Sequence, residues 1–152
     1  MTPSTEDALR AATLSKGDAF VAAQIAGMVK VLDSSAALAL LQNEPGSDLV
    51  FSALDDALMS SLNVAEVLRV LVRSGASSSD AKRIFARLQV PVSAFDYEQA
   101  VEALEIGILA PQLSLGDCAC LALARLRSAA EVLTADRVWK STNFGVPVVL
   151  IR

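Results

Sequence analysis

From Val29 to Ile151 short aliphatic runs alternate with longer stretches of helical periodicity, and this alternation limits the fold more than any other feature. VKVL (29–32), ALMSSL (57–62), PVSAF (91–95), EVLTA (131–135) and PVVLI (147–151) read as strands. Between them, SSAALALLQN (34–43), a segment over 47–56, NVAEVLRVLVRSG (63–75), SSSDAKRIFARLQ (77–89), YEQAVEALEIGILA (97–110) and SLGDCACLALARLRSAA (114–130) read as helices. Glu44-Pro45-Gly46 supplies a turn, Gly75 a helix stop, and the serines at 77–79 a helix cap. Strands joined through helices pair in parallel and are covered on both faces. The expected architecture is an α/β three-layer sandwich around a parallel sheet of about four or five strands. Residues 28–152 form that domain, and residues 1–27 are an alanine-rich lead that carries no related pattern.

The 152 residues contain no histidine. That removes Ser-His-Asp and Cys-His catalysis, histidine bases and ordinary zinc sites. Metal chemistry here has to use oxygen ligands, which suit hard ions such as Mg²⁺ or Mn²⁺. Cys118 and Cys120 lie two apart on a helix, so they face different ways and read as core thiols in a reducing cytoplasm. The acidic opening MTPSTEDAL argues against an export signal, and charges interrupt every apolar run before it reaches membrane-spanning length. The net charge of −4 weighs mildly against a nucleic-acid binder, although a carboxylate site adds negative charge that bound cations neutralise.

Ligands of open parallel sheets bind beyond the C-terminal ends of the strands. Asp33 follows the first strand, Asp136 follows EVLTA, and Glu66 and Asp117 fall in the expected first turns of two helices. Each acid has a structural reading as well. Asn63-x-x-Glu66 and Ser114-x-x-Asp117 fit a capping box or a close variant of one, and Asp136 can end a strand in a turn. Asp33 resists dismissal, because an ionisable group beside a buried sheet needs a partner or a cation. Carboxylates gathered within a few ångströms repel one another, and a divalent cation is the ordinary way to offset that.

VLDSSAALALLQNEPG, NVAEV, LSLGDCACLALA and VLTADRVW resemble, in order and spacing, the motifs of PIN-domain ribonucleases, and most of all the VapC toxins of bacterial toxin–antitoxin pairs. The resemblance runs from about Val29 to Arg152 and leaves out only the lead, which the usual toxin lacks. It implies that Asp33 and Asp117 are metal ligands, and that Glu66 and Asp136 act on the metal directly or through water. It also implies that Ser34 and Thr134 steady the site and that Asn63 orients Glu66. The activity implied is hydrolysis of RNA phosphodiesters, in which one or two Mg²⁺ or Mn²⁺ ions activate water and leave 5′-phosphate and 3′-hydroxyl ends. The partners implied are RNA, a VapB-type antitoxin and a second copy of the chain, with no membrane.

Arg137 and Lys140, close behind Asp136, are candidates to contact RNA. Arg69, Arg73, Lys82, Arg83 and Arg87 read more simply as solvated helix faces, and Trp139 as core rather than as a base-stacking platform. The competing reading is a non-enzymatic protein-binding module in which the same acids only cap helices. A phosphotransfer or dehalogenase-type phosphatase site fits poorly, because Asp33-Ser34-Ser35 lacks the second acid that such sites place beside the first.

Overall fold

The computed structural model describes Val21 and residues 27–152. The lead over residues 1–27 otherwise lies outside the described residues.

Among the described residues five strands pair in parallel: β1 (Lys30–Leu32), β2 (Ala57–Ser60), β3 (Val92–Ser93), β4 (Glu131–Thr134) and β5 (Val148–Leu150). Their order across the sheet is β3-β2-β1-β4-β5. From residue 27 onward the helices are α1 (Ser34–Leu41), α2 (Ser47–Ala53), α3 (Ser61–Arg73), α4 (Ser78–Ala86), α5 (Tyr97–Leu109) and α6 (Leu115–Leu126). Short 3₁₀ turns follow α2 (Leu54–Asp56) and β4 (Arg137–Ser141).

Alternate strand residues point to opposite faces and feed two cores. Val31, Leu58 and Val132 pack with α5 and α6, while Leu32, Met59 and Leu133 pack with α1 through α4. The expected three-layer α/β sandwich is therefore the observed one. Helix α6 is buried from Cys118 through Ala124, which explains why its sequence is apolar almost all round. Cys118 and Cys120 are free, buried thiols within that core.

Local signals hold at several ends. Ser77 accepts the Asp80 amide at 3.0 Å as the cap of α4, and Gly75 takes a φ of +111° just past the end of α3.

The strand expected over 57–62 is shorter than its sequence suggests, ending at Ser60. Residues Asn63, Val67 and Leu71, spaced by four, form the buried stripe of α3, so Leu62 belongs to the helix. Helix α3 therefore begins at Ser61, with Ser60 as its cap residue, and Glu66 lies in the second turn rather than the first. No Asn63–Glu66 capping box forms, because both residues are inside the helix.

Candidate active site

The central strand β1 pairs with β4 so that Leu32 lies opposite Leu133, and the Asp33 amide donates to the Leu133 carbonyl at 3.2 Å. This register brings Asp33, the cap of α1, against Thr134, which lies 101 positions away in sequence. Thr134 donates its hydroxyl to Asp33 Oδ2 at 2.5 Å and accepts the Asp136 amide at 3.0 Å. Asp33 Oδ1 accepts from Ser35 Oγ at 2.7 Å and from the Ala36 amide at 2.8 Å. Ser35 Oγ in turn accepts the Ala135 amide at 2.9 Å. Asp136 caps the 3₁₀ turn after β4 through the Val138 amide, at 3.0 Å.

Glu66 is held from two elements. Its Oε1 accepts from Ser34 Oγ at 2.6 Å and from Asn63 Nδ2 at 3.0 Å. Asn63, buried, also donates to the Gly116 carbonyl at 3.0 Å, which ties α3 to the first turn of α6. Its Oδ1 is buried without a hydrogen-bond partner among the described residues. Asp117 completes the expected capping box: its amide donates to Ser114 Oγ at 3.2 Å, and its Oδ2 accepts the Ser114 amide at 3.1 Å. The box occupies Oδ2, so capping and another role for Asp117 are compatible.

The acids sense one another. Burial pushes the Asp33 carboxyl up to about 6, against the pull of its bonds from Thr134, Ser35 and Ala36, and the charge of Asp117 adds to the rise. Asp117 is also raised, first by burial and then by the charges of Asp136 and Glu66, although its bonds to Ser114 oppose the change. Cys120, one turn into α6, has its thiol held well above the ordinary range by burial and by the charges of Asp33, Asp117 and Glu66. It is therefore a neutral, buried thiol that feels the charge of three of the acids. Among the described residues the ion pairs are Lys30–Glu131, Arg83–Asp80, Arg125–Glu102 and Arg152–Glu44, so none of the four acids has a lysine or arginine partner.

A divalent ion fits this donor set, because every candidate ligand is a carboxylate oxygen and, among the described residues, no lysine or arginine pairs with them. Among the described residues no three acids converge tightly enough to enclose one ion by themselves.

The PIN domain family model matches residues 30–145, most of the chain. The chain belongs to the PIN domain family. Solved structures of the same fold include VapBC2 from Rickettsia felis bound to a DNA fragment from its promoter, with 12% identity and a TM-score of 0.65 over 81% of this chain and 98% of that one. A toxin–antitoxin complex from Klebsiella pneumoniae has 16% identity and a TM-score of 0.64 over 81% of this chain and 98% of that one. VapC20 of Mycobacterium tuberculosis, a sarcin–ricin-loop-cleaving toxin, has 13% identity and a TM-score of 0.56 over 76% of this chain and 97% of that one. No curated protein matches the sequence.

Within this PIN domain, the four acids expected from the sequence lie on the elements that follow β1, β2 and β4 and at the start of α6. Ser34, Asn63 and Thr134 each bond an acid directly. Arg137 and Lys140 are exposed beside Asp136, whereas Trp139 between them is fully buried and offers no face for a base to stack on. Sequence reasoning overlooked Ser35, Gly116 and Cys120. The doubled serine after Asp33 was the available signal for the first, and a glycine inside the first turn of a helix for the second.

Proposed function

We propose that this PIN domain is a metal-dependent RNA endonuclease acting as the toxin of a VapBC-type pair. The observation that carries the reading is a set of neighbouring acids with no lysine or arginine partner among the described residues, Asp33 and Asp117 both being raised by burial and by neighbouring charge. Asp33 and Asp117 hold Mg²⁺ or Mn²⁺, and Glu66 and Asp136 act on it directly or through water. When bound, the ion offsets the clustered charge and acidifies a water for attack on a phosphodiester. Thr134 and Ser35 hold the Asp33 carboxylate, Ser34 and Asn63 hold that of Glu66, and Arg137 and Lys140 receive the RNA backbone. A basic side chain from a VapB-type antitoxin would meet the same unpaired acids and block the site. No helix among the described residues is long and apolar enough to cross a membrane, and the reading places the protein in the cytoplasm.

The test is Asp117→Asn. Asparagine has the same shape and can still accept the Ser114 amide, so the fold should survive while RNA cleavage falls by roughly a thousandfold, the scale of several kcal/mol of lost charge stabilisation. Retained cleavage by the purified variant would refute the assignment.

A second reading, the non-enzymatic binding module, has one observation in its favour: Asp33, Asp117 and Asp136 all accept backbone amides or complete caps. On that reading Asp117→Asn lowers the melting temperature and divalent ions have no effect on it.

As a toxin of this type the protein would act as a homodimer. Helix α5 exposes an apolar stripe of Tyr97, Val101, Leu104 and Ile108, beside the exposed Leu115, and such stripes mark association surfaces. Leu104→Asp should therefore shift the protein from dimer to monomer in light scattering. A variant that stays dimeric would move the interface elsewhere.

A further inference from the structure

We infer that Gly116 is a positioning residue, whose missing side chain forms the seat of the Glu66 carboxylate. This rests on the metal-site reading above and adds a residue to it. Gly116 is buried in the first turn of α6, immediately before Asp117. Its backbone is not among the positive-φ glycines, so no left-handed conformation demands glycine here. Helix propensity would favour alanine. The reason for glycine is space: a methyl group at this position would overlap Cδ, Oε1 and Oε2 of Glu66 together.

Gly107 on α5 is the contrasting case. A methyl group there would meet only Cys118 Sγ, at an ordinary 3.8 Å.

The rest of the seat is polar. The Gly116 carbonyl accepts from Asn63 Nδ2, and the same nitrogen donates to Glu66 Oε1, each at 3.0 Å. Ser34 Oγ holds Oε1 from α1 at 2.6 Å. Three helices thus close on one carboxylate, and the absent side chain of Gly116 lets it sit against the start of α6, beside Asp117. Glu66 is flexible, so a methyl group at 116 would be relieved by pushing the carboxylate out and breaking its bonds to Ser34 and Asn63. The fold would survive, and the carboxylate would leave its place among the acids.

The experiment compares Gly116→Ala, Glu66→Ala, their double variant and Gly107→Ala, each in the full chain. Two quantities are read: Mn²⁺ affinity by titration calorimetry and melting temperature in chelator. Gly116→Ala should weaken Mn²⁺ binding by about 10–100-fold, the usual effect of disturbing an outer partner of a metal site, while Gly107→Ala leaves it unchanged. In the Glu66→Ala background, Gly116→Ala should weaken Mn²⁺ binding no further. There it should raise the melting temperature by about 2–4 °C through helix propensity, a gain that is absent or reversed when Glu66 is present. Equal melting gains in both backgrounds would overturn the inference, because the carboxylate would then not occupy that space. Unequal gains in a protein that binds no Mn²⁺ would uphold the seat and overturn the metal reading instead.

Discussion

Asp33→Asn is expected to abolish RNA cleavage and, in the metal-free protein at neutral pH, to make the fold more stable. The two effects share one origin. Burial holds the Asp33 carboxyl at about 6 in the folded chain, against 3.8 for an ordinary aspartate. Between those values the folded state binds the proton more tightly than the unfolded state. Stability contributed by this group is therefore present at low pH, falls as pH rises from near 3.8 to near 6, and stays lost above that. The loss amounts to roughly 3 kcal/mol at pH 7 as an upper bound. Asparagine carries no charge to desolvate and is as good a cap for α1 as aspartate. Its oxygen can accept from Ser35 and the Ala36 amide, while its amide meets the Thr134 hydroxyl. Urea unfolding in chelator should show the variant more stable than the parent at pH 7.5, with the difference shrinking as pH is lowered toward 4. A variant less stable than the parent at pH 7.5 would mean that the Asp33 charge is already compensated within the chain.

Divalent ions should reverse that penalty in the parent. An ion that binds only the folded state stabilises it by mass action, by about 2.7 kcal/mol at a hundredfold excess over Kd, or roughly 5–10 °C in melting temperature for a domain of this size. The gain should be largest above pH 6. As pH falls, Asp33 and Asp117 take up protons that compete with the ion, and both hold them more readily than ordinary aspartates. Mn²⁺ added to Asp117→Asn should give little or no gain. Identical melting of the parent in Mn²⁺ and in chelator at pH 7.5 would favour the binding-module reading over the nuclease.

Part of the candidate site can be read along the chain, because two of its acids stand where strands end and a third completes a local cap. Asp33 and Asp136 directly follow runs that periodicity marks as strands, and the Ser114–Asp117 box is complete within four residues. The local setting expected for Glu66 differs from the observed one. Ser60 and Ser61 are equally at home at the end of a strand or the start of a helix, so the boundary moved by two residues and the anticipated Asn63 cap became an interior contact. Trp139 could be assigned to the core by residue type, and it is fully buried.

The amino-acid order by itself determined the layered architecture and the available chemistry. Alternating periodicity requires strands with helices over them, and an absence of histidine leaves carboxylates as the only plentiful metal donors. Those properties depend on residue type and on neighbours within one or two turns. Tertiary structure alone decided that Thr134 and Ser35 hold Asp33, that the Glu66 carboxylate rests on Gly116, and that Asp33 is buried enough to keep its proton to about pH 6. These depend on strand register and on helices that meet from distant parts of the chain, and no local pattern of residues encodes the distance between two groups a hundred positions apart.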